Sequence, residues 1–274
     1  MSLYTASINS GSNGNCYYIG NETDAVLVDA GLSCRETIKR MEKIGLSMDL
    51  VRAIFVSHEH SDHIRGLVAL ARKFDLPVYI TADTLRRSGL PLDKQYIVPF
   101  TAYKPVEVGG IKVYAFPKAH DASDPHSFLI EYKGIKIGVL TDIGVVCSHV
   151  TDSFKQCHAA FLEANYDDVM LAQGRYPYHL KKRIRGGNGH LSNAQALELF
   201  TKHKPAHMSH VFLSHLSKDN NCPDLARELF EANAGNTKVV VASRFNETEV
   251  YHISSESGLG AASYPGRAVQ ASLF

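Results

Sequence analysis

Short apolar runs punctuated by glycine, serine and asparagine open the chain. Residues 3–8, 16–20 and 24–29 read as strands, separated by turn residues over 11–15 and 20–22. Apolar positions then fall at helical spacing over 33–44, behind Ser33 as a cap. An apolar strand over 53–56 runs straight into SHEHSDH (57–63). A helix is predicted over 64–74 and a strand over 77–80. Strands at 106–108, 111–116, 127–132 and 135–140 follow, with Gly109-Gly110 and Lys133-Gly134 as hairpin turns. Beyond them, helices near 148–156, 166–173, 177–184, 193–201 and 223–233 alternate with strands at 159–162, 207–212, 238–241 and 248–252.

The two halves rhyme. Each starts with strands, continues with helices and ends in histidine-bearing loops that follow a strand. That order predicts an α/β (α+β) fold of two sheets packed face to face with helices outside. No Pro/Ser-rich linker divides the chain, so one domain over 1–274 is expected, with the Gly/Ser/Ala-rich stretch 254–274 as an extended or frayed tail. The 274 residues are 45% hydrophobic and 21% charged, an ordinary globular balance. A chain of this size buries roughly 70–75% of its unfolded surface and needs no staples. Basic residues number 29 and acidic ones 28, which excludes a histone-like binder but not a local basic patch. Five cysteines, with no CxxC pair, argue against a disulfide framework or a cysteine zinc ribbon. No secretory leader or run of ~18 apolar residues is present, so the expectation is a cytoplasmic protein without a membrane partner.

Fourteen histidines are many, and their positions matter more than their number. In SHEHSDH, His58 and His60 are two apart and point the same way in an extended loop. Asp62 and His63 come one turn later, at a helix start, so one loop can supply two neighbouring metals. This HxHxDH pattern resembles the metallo-β-lactamase-fold hydrolase superfamily. The resemblance implies a four-layer αββα sandwich of two mixed sheets. Its other motifs match in order over roughly residues 10–220: Asp29 in LVDAG, His120 in KAH, Asp142 in TD and His215 in LSHLS. His210, five residues before His215, is the competing choice for the last of these.

The resemblance implies that His58, His60 and His120 hold one divalent metal. It implies that Asp62, His63 and His215 hold a second, that Asp142 bridges, and that Asp62 counts among the catalytic residues. Zinc stands ahead of manganese or iron for such mixed ligands. A metal-bridging hydroxide would be the nucleophile, and Asp29 would orient a ligand histidine. The remaining histidines, His126, His149, His158, His179, His203, His207 and His252, should lie outside the centre.

Three further segments narrow the branch. His190 in GHLSN and Glu163 in EAN resemble the catalytic histidine and its glutamate partner in ribonuclease Z- and ribonuclease J-like enzymes. A carboxylate partner fixes the tautomer of such a histidine and fits it to act on a scissile phosphate. Lys181, Lys182, Arg183 and Arg185 lie just before His190 and read as a phosphate-tracking patch. Ser12 and Asn13, in the small-residue loop SGSNGN, are candidates to cradle a terminal phosphate. Together these segments resemble the YycJ (WalJ) family, which implies a 5′-to-3′ exonuclease acting on double-stranded DNA ends. Two other readings compete: a thioester or phosphonate-ester hydrolase on the same site, and a silent nucleic-acid-binding scaffold. Oligomeric state is left open.

Overall fold

In the computed structural model, which describes residues 2–255, the first apolar runs become strands β1 (Ser2–Asn9), β2 (Cys16–Gly20) and β3 (Ala25–Val28). Helix α1 (Cys34–Lys43) begins on Ser33, whose hydroxyl accepts from the Glu36 N–H. Then come β4 (Val51–Phe55), α2 (Ser61–Ile64), α3 (Leu67–Phe74), β5 (Val78–Tyr79), α4 (Ala82–Ser88) and β6 (Ile97–Val98). The second half contains β7 (Val106–Val108), β8 (Ile111–Pro117), β9 (His126–Tyr132), β10 (Ile135–Leu140), α5 (Ser148–Phe154), β11 (Ala159–Glu163), α6 (Asp168–Gln173) and α7 (Tyr178–Arg185). It ends with α8 (Asn193–His203), β12 (His210–Ser214), α9 (Pro223–Glu231), β13 (Lys238–Val241) and β14 (Tyr251–Ser254).

Two seven-stranded mixed sheets result, ordered β14-β1-β2-β3-β4-β5-β6 and β13-β12-β11-β10-β9-β8-β7. In each, antiparallel hairpins occupy one side and parallel strands the other: β3 to β6 in the first sheet, β10 to β13 in the second. Parallel strands are covered on both faces and read as continuous apolar runs, and every residue of AVLV in β3 and of AAFLE in β11 is buried. One core cluster lies between the sheets, around Phe55, Phe128, Phe161 and Phe212. Two others lie under the helices, one against α1 and α3, the other against α5, α8 and α9. This is the predicted αββα layering, with the β14 strand returning to the edge of the first sheet.

Several elements differ from the sequence expectation: β6 has no counterpart in it, and the strand predicted over 248–252 is β14, at Tyr251–Ser254. The helix predicted over 64–74 is broken at Arg65 and Gly66 into α2 and α3. Gly66 sits so close to the preceding loop that a Cβ there would lie 1.9 Å from the Leu32 carbonyl oxygen. The strand predicted over 207–212 is β12, shifted to 210–214, because Ser209 and its neighbours turn after Pro205 before pairing with β11 begins at Ala159 and His210. Helix α4, capped by Thr81 and ended by left-handed Gly89, has no counterpart in the sequence reading. The expected tail over 254–274 lies, beyond Ser255, outside the described residues.

Phe161 joins the two sheets, its ring 4.6 Å from that of Phe212 and 4.8 Å from that of Tyr17. Phe161→Ala should lower the unfolding free energy by about 3–5 kcal/mol. Urea denaturation measures it, and a loss below about 1 kcal/mol would refute this role.

Candidate metal centre

Parallel strands of both sheets end at one place, and the ends carry the polar groups. Asp29 follows β3, the 57–63 loop follows β4, Asp142 follows β10, Glu163 closes β11 and His215 follows β12. Asp29, Asp142 and His215 all have left-handed backbones, with φ of 62°, 55° and 57°. Outside glycine that conformation costs of order 1–2 kcal/mol per residue and persists only where the surroundings impose it. Here it reverses the chain at the strand end and turns the side chain into the centre.

His63, His58 and His120 are each held through Nδ1. The buried Asp29 carboxylate accepts the Ser57 N–H at 2.8 Å, the Ser57 hydroxyl at 2.8 Å and His63 Nδ1–H at 2.7 Å. With its proton given to Asp29, Ser57 Oγ accepts from His58 Nδ1 at 2.9 Å. His120 Nδ1 donates to the Gly189 carbonyl at 3.0 Å. Gly189 is required there, because a Cβ would lie 2.2 Å from the Ile184 carbonyl oxygen. The other nitrogens then face one another: His58 Nε2 lies 3.1 Å from His60 Nδ1, which lies 3.4 Å from His120 Nε2. Three imidazole lone pairs aimed at one another form a site that suits a cation.

Beside this triad lies a second group. His63 Nε2 is 3.5 Å from Asp62 Oδ2 and 3.3 Å from Asp142 Oδ2, and His215 Nε2 is 3.6 Å from Asp62 Oδ2. Asp142 Oδ2 and His215 Nε2 are buried with no hydrogen-bond partner, an arrangement that is costly unless something binds them. His58, His60 and His120 form one group able to hold a metal, and Asp62, His63 and His215 another; Asp142 joins His58 and His63 in a third. Imidazole nitrogens and carboxylate oxygens with no thiolate suit borderline divalent ions.

Glu163 is fully buried and accepts four hydrogen bonds. Its Oε2 takes the Ile143 and Leu191 N–H groups at 2.7 and 3.2 Å, and its Oε1 takes His190 Nδ1 at 2.8 Å and His215 Nδ1 at 3.1 Å. The sequence paired Glu163 with His190 alone; the bond to His215 is new. Burial pushes the Glu163 carboxyl up, but the charges and hydrogen bonds of His190 and His215 outweigh it and hold the group below the usual carboxylate range. Asp142 and Asp62 are likewise held low against burial, Asp142 by His215, His63 and Lys118, and Asp62 by His63 and His215. Burial depresses His215, yet Asp142, Asp62 and Glu163 raise it well above an ordinary histidine.

Several residues that sequence reasoning passed over complete the frame. Lys118 is buried and donates to the Thr141 carbonyl at 2.7 Å, its charge facing Asp142, Asp29, Glu163 and Asp62. Asn15 Nδ2 lies 3.0 Å from His63 Nε2 and 3.2 Å from Asp62 Oδ2, and Asn165 donates to the His215 carbonyl at 2.8 Å. Ser10 Oγ accepts the His215 N–H at 2.8 Å. Asn15 and Ser10 belong to the SGSNGN loop singled out for a phosphate. The N–H groups of Ser10, Gly11, Gly14 and Asn15 are bonded within the protein. Ser12 and Asn13 bond Arg244, through the Ser12 hydroxyl and the Asn13 amide. His210 starts β12 at its far end, stacked on Phe212, so His215 and not His210 reaches the centre. Among the described residues, the seven histidines expected outside belong to none of the metal-capable groups.

The four cations before His190 divide. Arg183 pairs with Asp121, whose other oxygen is 3.4 Å from His120 Nε2. Lys181, Lys182 and Arg185 line a groove on α7 instead. Helix α7 is tied to the centre by the bond from the His190 N–H to the Ile184 carbonyl, 2.9 Å.

A family model described as a beta-lactamase superfamily domain matches residues 24–216. The chain is 37% identical over 232 residues to exodeoxyribonuclease YycJ of Bacillus anthracis, covering 83% of this chain and 87% of that protein. It is 32% identical over 222 residues to exodeoxyribonuclease WalJ of Streptococcus pneumoniae, covering 79% and 82%. The crystal structure of the metallo-beta-lactamase fold protein YhfI from Bacillus subtilis superposes with a TM-score of 0.69 at 16% identity, covering 92% of this chain and all of that one. That likeness is one of fold.

Glu163→Gln tests the hydrogen-bond arrangement. Two backbone N–H groups fix where the amide oxygen must go, so the new NH₂ faces His190 and His215. Where the rings are neutral, both should then switch from Nδ1–H to Nε2–H, which removes the lone pair of His215 Nε2. Nitrogen-15 chemical shifts of the histidine side chains report it; unchanged tautomers would refute the assignment.

Proposed function

This chain belongs to the beta-lactamase superfamily, alongside the YycJ and WalJ proteins, and from that premise we propose that it is a two-metal phosphodiesterase that degrades DNA 5′ to 3′ from double-stranded ends. One observation carries the proposal: ligand-type atoms of nine side chains converge, the seven named below with Glu163 and His190, and two of those atoms are buried without a partner. In this reading His58, His60 and His120 hold one divalent ion, and Asp62, His63 and His215 hold the other. Asp142 lies between, near His63 on one side and His120 on the other. Zinc suits the donors best, with manganese or iron as alternatives. When bound, such ions supply Lewis acidity and bring the pKa of water down from 15.7 to about 7.

The chain's own residues supply the rest. His190 is 18% exposed at its side chain, and only its Nδ1 is engaged, by Glu163. Its Nε2 is therefore the atom left to meet a scissile phosphate or a leaving oxygen. Asp142 and His120 face the centre from the ends of β10 and β8. Arg183 of α7 pairs with Asp121, the neighbour of His120, and Lys181, Lys182 and Arg185 stand on the same helix, which favours a polyanionic substrate over a thioester.

His190→Ala should keep both ions and lose about 10²- to 10⁴-fold in kcat on 5′-labelled duplex DNA. His58→Ala and Asp142→Ala should lose metal, read by mass spectrometry on freshly purified protein. Full nuclease activity in His190→Ala would overturn its role. Turnover of a thioester panel, with duplex DNA left intact by the wild-type protein, would overturn the substrate reading.

A further inference from the structure

Helix α7 has no buried residue, and its sequence YHLKKRIR has no acid. Tyr178, Lys181, Lys182 and Arg185 stand at i, i+3, i+4 and i+7, so they share one face. On an ordinary surface helix a stripe at that spacing would be apolar and buried. Here it lines an open groove of about 520 Å³ together with Ala172 and Gly186, and Tyr178 is 80% exposed. A groove of that volume falls in the range of ligand sites.

Some exposed cations on other helices have a carboxylate one turn away, as Arg86 has Asp83, Lys202 has Glu198 and Arg227 has Asp224, while others, such as Arg35, Lys39, Lys73 and Arg87, have no acidic partner among the described residues. What sets the α7 face apart is that three such cations share it with an exposed ring. Among the described residues, Lys181, Lys182 and Arg185 have no acidic partner. Lys181 Nζ and Arg185 Nη2 donate only to the Ala172 and Asp168 carbonyls, at 2.8 and 3.1 Å, which positions the charges without neutralising them. Arg183, on the other side of the helix, is paired with Asp121. The one-dimensional run KKRIR thus becomes three unneutralised cations and an exposed ring on one face, with the fourth cation turned to the metal centre.

We infer that this groove is a binding site for a single-stranded segment of nucleic acid, with an unpaired base stacked on Tyr178 and phosphates on Lys181, Lys182 and Arg185. The inference rests on the nuclease reading and adds to it a place for DNA beyond the scissile bond. An open aromatic face beside unpaired cations is the arrangement that binds single strands without reading sequence. From Arg185 to Tyr178 the helix rises about 10 Å, at 1.5 Å per residue. Gly186, at the groove's end, accepts the Gly189 N–H at 2.8 Å, and Gly189 in turn holds His120. The strand would therefore run from the metal centre outward along α7.

The probes are a 5′-labelled duplex with a single-stranded tail, the same duplex with blunt ends, and bis(p-nitrophenyl) phosphate. Tyr178→Ala should weaken binding of the tailed duplex between about fivefold and a hundredfold, the range of one lost base stack. Blunt duplex should be affected less, and Tyr178→Phe should restore the tailed affinity because the ring remains. Replacing Lys181, Lys182 and Arg185 by serine should flatten the salt dependence by about 0.7 per lost single-strand phosphate contact. Wild-type affinity of Tyr178→Ala for both duplexes would overturn the groove assignment alone, provided the wild-type protein binds and cuts DNA. A wild-type protein that hydrolyses bis(p-nitrophenyl) phosphate but binds neither duplex would overturn the nuclease reading, and the groove assignment with it.

Discussion

The hydrogen bond on Nδ1 of every site histidine but His60 is the interaction on which the rest of the centre depends. An imidazole has two nitrogens, and a neutral ring offers one lone pair. Asp29 fixes it on His63, Ser57 on His58, the Gly189 carbonyl on His120 and Glu163 on both His190 and His215. Each bond settles a tautomer and an orientation together, and groups of this kind typically change metal affinity 10- to 100-fold when removed. Glu163 serves two rings, and Asp29 one ring and the Ser57 hydroxyl, so each couples residues that are far apart in the sequence. Asp29 ties Ser57 to His63; Glu163 ties His190, Ile143 and Leu191 to His215.

Those acceptors exist where they do because of the sheets. Both sheets carry their parallel strands on the side where their C-terminal ends meet, the place where open α/β sheets leave room for a ligand. The strands β3, β10, β11 and β12 are almost wholly buried, so packing sets their positions, and the residue at or just past each end is held with them. The left-handed backbones of Asp29, Asp142 and His215 are unfavourable locally and are imposed by rigid strands behind them. A loop without that support would relax and lose the convergence.

This division explains what could be read from the sequence. SHEHSDH was legible because its ligand-type residues are contiguous, and the pattern alone placed them on a turn between a strand and a helix. Asp142 and His215 were legible through the family motifs they match, TD and LSHLS, each behind an apolar strand. What escaped was every contact made across the two sheets. The pairing of Glu163 with His215, the donation from Lys118 to Thr141, and the clamp of Asn15 on Asp62 join residues that no periodicity brings together. The break at Gly66 escaped because a helical pattern does not reveal how near the Leu32 carbonyl will come. The run KKRIR showed four cations but not the helix faces they occupy, and so not that Arg183 differs from its neighbours.

Electrostatics binds these pieces into one system. Asp29, Asp142 and Glu163 are buried, with Asp62 partly so, and uncompensated carboxylates in such a place would be costly. Lys118 supplies one fixed positive charge, although burial lowers its own affinity for a proton. The remaining compensation must come from the histidines or from bound cations. The carboxylates that favour cation binding also raise the proton affinity of His63 and His215. Protons and divalent ions therefore compete for the same nitrogens, because a ligating imidazole must be deprotonated. Cation binding at this centre releases protons and strengthens as pH rises, and the same buried charges that hold the histidines in place set the pH at which it happens.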